Sequence, residues 1–228
     1  MSLVVKIGGH LFSGEGGLSV DWIRRASEIL IACHRPGEKW VIVVGGGLGA
    51  RAFIRAAREL GASETVCDEI AITVTRIHAK LFIQALGGAA YPNVVENVQD
   101  LRGALVSRDI AVAGGFWPGQ STFAVAAYCA ETILAHKVIL ATNVEGIYDK
   151  DPRAYSDAKV IRQIKSKELS RLMEGSPQAA GEYRLVDRVG LSILERSNIK
   201  LAIIDARDPQ KLRDALTTGY AGTIVEPG

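Results

Sequence analysis

The chain has 228 residues, of which 48% are hydrophobic, and this size and composition suit one domain with a sizeable core. Lysine and arginine total 27 while aspartate and glutamate total 25, so the net charge of +2 gives no sign of a nucleic-acid-binding protein. No apolar stretch approaches the length of a membrane span, and we expect a cytoplasmic protein with no signal peptide and no membrane partner.

Predicted strands and helices alternate along the chain. In order they are a strand over 3–9, a helix over 20–33, a strand over 40–47, helices over 49–60 and 64–86, shorter pieces over 89–108, a strand over 110–113, a helix over 123–135, a strand over 137–143, turns as far as 155, helices over 167–174 and 183–197, a strand over 200–205, a helix, and a strand over 223–225. Continuous Val, Ile and Leu strands between helices are typical of an α/β protein whose parallel sheet is covered on both faces. We expect residues 174–181, "EGSPQAAG", to be the most mobile segment.

Four predicted strands end in loops that are typical of ligand binding. Their sequences are Gly8-Gly9, Gly45-Gly46-Gly47, Gly114-Gly115 and Thr142-Asn143. In an open parallel sheet, ligands bind outside the carboxyl ends of the strands. Four such loops therefore predict a broad site at one edge of the sheet, suited to long ligands that carry phosphates.

The segment 114–122, "GGFWPGQST", is the most unusual of these loops. Its two glycines permit a sharp turn or the close approach of another group. Ser121 and Thr122 precede a predicted helix, where hydroxyls cap bare amides that also attract anions. Taken alone, the segment is equally compatible with a simple capped turn.

Several other classes of site are disfavoured. The three cysteines and four histidines are scattered, which indicates neither a disulfide framework nor a metal-binding cluster. The P-loop motif G-x-x-x-x-G-K-[ST] is absent. Gly45-x-Gly47-x-x-Ala50, with Glu64 or Asp68 farther on, fits a dinucleotide fingerprint only loosely, and an oxidoreductase would leave the loops at 8–9 and 114–122 unexplained.

Charged and aromatic residues near the strand ends have two readings each. Lys6 interrupts an apolar strand, where an unpaired ammonium is costly, so it either extends outward from an edge strand or meets a phosphate. Arg51 follows the second glycine loop and could reach a phosphate oxygen or lie on the surface. Tyr148 could stack on a base or pack in the interior.

Five motifs stand in the order and spacing of the amino acid kinase family. They are "KIGG" (6–9), "VVGGGLGAR" (43–51), "GGFWPGQST" (114–122), "ATNVEGIYDKDP" (141–152) and "AGTIV" (221–225). The similarity covers essentially the whole chain, and within the family the chain most resembles the archaeal type of uridylate (UMP) kinase. The loop G-G-x-x-P-G-x-x-T is the most specific part, since acetylglutamate kinases and aspartokinases lack it.

The resemblance implies a fold, an assembly and a reaction. It implies a three-layer αβα sandwich with a mainly parallel central sheet, formed by a single domain over 1–228 and assembled as a homohexamer, a trimer of dimers. The N-terminal part would bind mainly the acceptor, and the part from about 137 would bind mainly ATP. The implied reaction transfers the γ-phosphoryl group of ATP to UMP in pyrimidine nucleotide biosynthesis, with Mg²⁺ held mainly through the ATP phosphates.

The resemblance also implies roles for individual residues. The positions that match ATP-binding residues are Gly9, His10, Gly47, Arg51, Thr142, Asn143, Tyr148 and Asp151. The positions that match UMP-binding residues are Gly46, Asp68, Phe116, Trp117, Pro118, Gly119, Gln120, Ser121 and Thr122. The family usually has a small hydroxyl residue at the position of His10. His10 would either add a cation or only line the site, and we expect that it only lines the site.

The implied chemistry needs charge neutralisation and positioning more than a nucleophilic residue. Lys6 and Arg51 are the expected catalytic residues, because they would offset charge on the transferred group. Glycine amides at 8–9 and 45–47 would serve as fixed donors. Asp151 would organise the nucleotide or the waters of the metal rather than act as a base.

Two alternatives remain. A kinase of the same fold for isopentenyl phosphate or carbamate would share the ATP half, although the isopentenyl phosphate branch has a histidine beside its second glycine loop and none occurs over 45–51 here. A non-catalytic storage or regulatory protein could also have this fold, but Lys6 and the intact 114–122 loop argue against lost chemistry.

Overall fold

The computed structural model describes residues 2–14, 16–150, 152, 154–174 and 185–228. Residues 175–181 of the segment expected to be mobile lie outside this part of the chain, and so does Asp151. The strands are β1 (Leu3–Ile7), β2 (Ser13–Gly14), β3 (Gly17–Leu18), β4 (Trp40–Val44), β5 (Ile110–Ala113), β6 (Lys137–Thr142), β7 (Ile147–Tyr148), β8 (Val160–Ile161), β9 (Gln163–Lys165), β10 (Lys200–Asp205) and β11 (Thr223–Glu226). The helices are α1 (Val20–Cys33), α2 (Gly47–Glu59), α3 (Glu64–Leu86), α4 (Val98–Ser107), α5 (Thr122–Thr132), α6 (Ser166–Glu174), α7 (Arg188–Arg196) and α8 (Gln210–Thr217), with 3-10 turns at Gly9–Leu11 and Gly87–Ala89.

Within the described residues, seven strands form the central sheet in the order β5-β4-β1-β6-β10-β11-β9. Neighbouring strands are parallel except for β10 and β11, which are antiparallel. Strand β1 lies inside the sheet, with Lys6 in register with Val43 on one side and Leu140 on the other. The edge-strand reading of Lys6 is therefore wrong.

Helices cover both faces of the sheet. Alternate residues of β1 enter opposite layers, because side chains of a strand point to opposite faces. Leu3, Val5 and Ile7 pack with α1, α3 and α8, whereas Val4 packs with α4, α5 and α7. The predicted three-layer αβα fold with a mainly parallel sheet is confirmed, and the carboxyl ends of β1, β4, β5 and β6 meet at one edge.

Side-chain caps fix where several helices begin. Ser19, Ser63 and Asn97 precede α1, α3 and α4, and their side chains accept hydrogen bonds from amides of the first turn. The sequence placed the longer helices and strands near their observed bounds. It missed the hairpins β2–β3 and β7–β8, since two-residue strands carry too few side chains to show a period. None of the described helices could cross a membrane.

Candidate active site

The loops after β1 and β4 are in backbone contact. A β-carbon placed on Gly9 would lie 2.2 Å from the amide nitrogen of Gly47 and 2.6 Å from the carbonyl oxygen of Gly45. The Ser13 hydroxyl joins the same loops, since it donates to the Gly9 carbonyl at 2.5 Å and accepts from the Leu48 amide at 3.1 Å. Gly9 is therefore required for close approach, and the two loops form one wall.

Helix α2 begins inside the second glycine loop rather than after it. Gly47 has φ +60, a left-handed conformation that favours glycine, and it is the first residue of the helix. The predicted phosphate ligand Arg51 lies one turn into the helix, with its Nε 3.5 Å from the Gly47 carbonyl oxygen. Gly46 faces inward instead, where a β-carbon would lie 2.4 Å from that of Ala50. Its predicted role at UMP therefore has a packing explanation as well.

Lys6 is a buried cation at this edge. Its side chain lies on the face of β1 that packs against α5, and the residue is 8% exposed. Burial lowers the pKa of the Lys6 ammonium from 10.5 to about 8, and attraction to Asp187 opposes part of this lowering. A buried ammonium is costly unless it meets negative charge, so the position is prepared for an anionic ligand.

Asp187 is a site residue that the sequence reasoning missed. It precedes α7, and its Oδ1 accepts a hydrogen bond from the Gly190 amide at 2.9 Å. The Ser121 hydroxyl donates to its Oδ2, and Ser121 itself caps α5 by accepting from the amides of Phe123 and Ala124, both at 3.0 Å. The N-termini of α5 and α7 therefore converge near Lys6.

A tight turn forms the tip of the 114–122 loop. The Gln120 amide donates to the Trp117 carbonyl at 3.2 Å, and Gly119 has φ +79, so Pro118-Gly119 occupies the centre of a type II turn. The Gly119 amide donates to Asp68 Oδ2 at 2.8 Å. The structure thus brings Asp68, on α3, to the loop with which it was grouped. Phe116 is buried and Trp117 is exposed.

The glycines at the start of this loop permit close packing against α3. A β-carbon on Gly114 would lie 2.7 Å from the Thr75 hydroxyl, and one on Gly115 would lie 2.9 Å from Ile72 Cγ1. The Gly115 amide donates to the Thr75 hydroxyl at 2.7 Å. These glycines are explained by helix packing, whereas the hydroxyls of Ser121 and Thr122 lie at the helix N-terminus.

The end of β6 supplies the other side of the edge. Thr142 is buried, its hydroxyl lies 3.3 Å from His10 Nε2, and its carbonyl accepts from the Ala206 amide at 2.7 Å. Asn143 is exposed and Tyr148 is half-buried on β7. The structure does not describe Asp151, so its expected role stays a prediction.

His10 is neutral at physiological pH in this arrangement. Its pKa is lowered from 6.5 to about 4 by burial first and then by the nearby cations Lys6 and Arg51, while Asp205 acts in the opposite direction. A neutral imidazole supplies a hydrogen-bonding group but no additional positive charge. This favours the reading in which His10 lines the site.

No cluster of three or more His, Cys, Asp or Glu side chains that could hold a metal ion occurs among the described residues. The donor set at this edge is instead rich in cations and amides, which suits a polyanionic ligand. Such a set fits Mg²⁺ that enters on the phosphates of a nucleotide, because Mg²⁺ is commonly held by substrate phosphates and waters.

Comparison with known proteins gives full-length matches. A sequence model of the amino acid kinase family matches residues 1–205. The uridylate kinase of Methanothermobacter thermautotrophicus is 41% identical over 227 residues, and that of Sulfolobus acidocaldarius is 37% identical over 229; each match covers 100% of both chains. The crystal structure of uridylate kinase from Archaeoglobus fulgidus superposes with a TM-score of 0.86 at 33% identity, covering 99% of this chain and 100% of that one. The chain therefore belongs to the amino acid kinase family.

Proposed function

We propose that the protein is a uridylate kinase, which transfers the γ-phosphoryl group of ATP to UMP and yields UDP and ADP. The observation that carries the proposal is Lys6, a buried cation in the middle of the sheet where the N-termini of α5 and α7 converge. Its surroundings suit a group that carries several negative charges. Full-length similarity to proteins named uridylate kinase supports UMP as the acceptor.

Two halves of the edge would hold the two substrates. The ATP half consists of the wall formed by Gly9 and Gly47, together with His10, Thr142 at the end of β6, and Asn143 and Tyr148 beyond it. The acceptor half consists of Asp68 and residues 116–122. The part of the single domain from about 137 would then bind mainly ATP and the part before it mainly UMP, with Gly9, His10 and Gly47 of the earlier part also at the ATP.

The reaction would join the substrates between these halves. A phosphate oxygen of UMP forms the new bond to the γ-phosphorus as the bond to the bridging oxygen of ADP breaks. Lys6 would neutralise charge on the transferred group, and Arg51, one turn into α2, would contact the phosphates. Asp187 would orient Lys6, because its carboxylate attracts the ammonium and is fixed by Ser121 and Gly190. Mg²⁺, when bound on the ATP phosphates, would supply further charge neutralisation.

The protein would act as an oligomer in the cytoplasm, where it would serve pyrimidine nucleotide biosynthesis. The apolar side chains of Phe53 on α2 and of Ile77 and Leu81 on α3 are exposed on the chain taken alone. Contact with a second copy would cover them, and a trimer of such dimers would give the expected homohexamer. Sedimentation equilibrium measures this assembly directly.

A coupled ADP-release assay with a panel of acceptors tests the proposed function. The panel contains UMP, CMP, AMP, GMP, isopentenyl phosphate and carbamate, each with ATP and Mg²⁺. We expect UMP to be turned over far faster than AMP or GMP. Preferred turnover of isopentenyl phosphate or carbamate would identify a different kinase of the fold, and no turnover of any acceptor would favour a non-catalytic protein.

A further inference from the structure

We propose that Arg76, on α3, is a positioning residue that fixes the start of the 114–122 loop and thereby sets the affinity for the acceptor nucleotide. The proposal rests on the proposed function for the identity of that acceptor. Arg76 lies outside every motif that indicated the site from the sequence. It is not a catalytic residue, since its contacts are with the protein backbone and one carboxylate.

The Arg76 guanidinium makes three contacts with its fork of N–H groups. Nε donates to the Gly115 carbonyl at 3.3 Å, and Nη2 donates to the Phe116 carbonyl at 3.4 Å. Nη1 pairs with Oε2 of Glu96 at 2.6 Å. The Arg76 side chain is 28% exposed, so most of it is withdrawn from water. A planar guanidinium can hold several acceptors in fixed directions, which the single ammonium of lysine cannot do.

The contact with Glu96 joins the loop to a second segment beside β5. Glu96 follows Val95, whose amide donates to the Val112 carbonyl at 2.9 Å and which forms a parallel bridge with Ala113. Gly115 and Phe116 leave the carboxyl end of the same strand. Arg76 therefore links the chain on one flank of β5 to the chain that continues from its end.

The neighbouring residues of α3 act on the same loops. The Thr75 hydroxyl accepts a hydrogen bond from the Gly115 amide and donates one to the Ile72 carbonyl at 2.6 Å, and these two bonds fix its orientation. His78 is buried, and its Nδ1 lies 3.0 Å from the Gly45 carbonyl oxygen. A carbonyl can only accept, so Nδ1 carries the proton. One turn of α3 thus holds both the second glycine loop and the 114–122 loop.

The position of these contacts predicts which substrate is affected. Arg76 holds backbone atoms of the loop that is assigned to UMP, and none of its three contacts reaches the loops after β1 or β6. Displacement of the loop would move the turn at Trp117–Gln120 and the helix start at Ser121. Loss of Arg76 should therefore weaken UMP while ATP binding is unchanged.

Steady-state kinetics of Arg76→Lys and Glu96→Gln test this inference. Arg76→Lys keeps the charge but cannot bridge both carbonyls and Glu96, and we expect the KM for UMP to rise roughly tenfold, the loss expected for one charge-assisted hydrogen bond. Glu96→Gln should produce a smaller rise in the same direction. In both variants the KM for ATP should stay within about twofold, because Arg76 contacts none of the loops assigned to ATP. A general structural defect would instead raise both KM values.

Arg196→Lys is the matched control. Arg196 forms a similar forked pair with Glu131, at 2.8 and 2.6 Å, at the opposite ends of α7 and α5 from the site. This variant should retain the wild-type KM for both substrates.

Amide hydrogen exchange provides a readout that does not depend on activity. Without substrates, the amides of residues 115–117 should exchange faster in Arg76→Lys than in the wild type and in Arg196→Lys. An unchanged KM for UMP in both test variants, or an equal rise in both KM values, would overturn the inference. If Arg76→Lys does not fold, Glu96→Gln decides. Failure of the wild type to use UMP would instead refute the proposed function, and unchanged exchange at 115–117 would then still refute the positioning role.

Discussion

Replacing Lys6 by methionine should stabilise the protein and abolish most of its activity. Methionine keeps a long unbranched chain in the same space but removes the buried charge. Burial lowers the Lys6 pKa from 10.5 to about 8, which corresponds to about 3 kcal/mol of destabilisation at neutral pH, at about 1.36 kcal/mol per pKa unit. The value of about 8 already includes the attraction of Asp187, so we expect the free energy of unfolding to increase by about 3 kcal/mol.

The pH dependence separates this cause from a general effect of the substitution. Between pH 8 and 10.5 the native state binds fewer protons at Lys6 than the unfolded state, so the stability of the wild type rises with pH in that window. The gain in unfolding free energy of Lys6→Met over the wild type should therefore be full at pH 7 and mostly lost by pH 10. Urea unfolding at both values measures it.

The activity of Lys6→Met should fall although its stability rises. A cation that meets charge developing on the transferred group acts mainly in the transition state, so kcat should fall on the order of a hundredfold or more with a smaller change in the KM for UMP. Wild-type kcat in Lys6→Met would refute the catalytic assignment. A variant that is less stable than the wild type at pH 7 would refute the electrostatic account of burial.

Three further changes test the rest of the site. Asp68→Ala should raise the KM for UMP roughly tenfold or more and leave the KM for ATP nearly unchanged, because a charge-assisted hydrogen bond to the ribose would be lost. It should also narrow the preference for UMP over deoxy-UMP, which steady-state kinetics with both acceptors measure. Gly9→Ala should lower kcat/KM on the order of a hundredfold, since its β-carbon would separate two backbone segments, whereas Gly103→Ala, with open space around it, should be nearly silent in the same assay. His10→Ser should change kcat less than about fivefold, the worth of one neutral hydrogen bond. In the wild type, kcat/KM should show no titration of His10 between pH 6 and 7, because its pKa is lowered to about 4. A large loss of kcat in the variant, or a titration between pH 6 and 7 that the wild type shows and the variant lacks, would restore the cationic role.

Much of the fold could be predicted from the sequence because the signals are local. Apolar strands such as β1 and β4 alternate with long helical patterns, and parallel pairing follows from that order. The short strands β7 and β8 could not be predicted, since two residues in each strand carry too few side chains to show a period. The antiparallel β11 shows a second limit, because α8 lies between β10 and β11 and a strand-helix-strand order ordinarily indicates a parallel pair.

The site residues that could be predicted from the sequence lie within or directly after predicted strands. Lys6, Gly9 and Thr142 were found because each interrupts or terminates an apolar strand. Asp187 and Arg76 were missed for a different reason. Asp187 lies inside the helix predicted over 183–197 and Arg76 on a long helix, and only the structure shows that Asp187 precedes α7 and that both residues reach the site.

The glycines at the start of the 114–122 loop were correctly singled out, but a neighbouring helix and not a ligand explains them. Gly114 and Gly115 were read as either a sharp turn or a close approach to some group. The group turned out to be α3, through Thr75 and Ile72. A sequence pattern cannot distinguish a ligand from a helix as the neighbour that excludes a β-carbon.

Direct detection of the transferred group tests whether the protein phosphorylates UMP and whether Lys6 promotes that transfer. ATP labelled at the γ-phosphate is incubated with UMP, Mg²⁺ and either the wild type or Lys6→Met, and the nucleotides are separated by chromatography. We expect the wild type to move the label from ATP into UDP and the folded Lys6→Met to do so on the order of a hundredfold more slowly. Label that stays in ATP or appears as free phosphate with the wild type, or equal transfer by both proteins, would contradict this expectation.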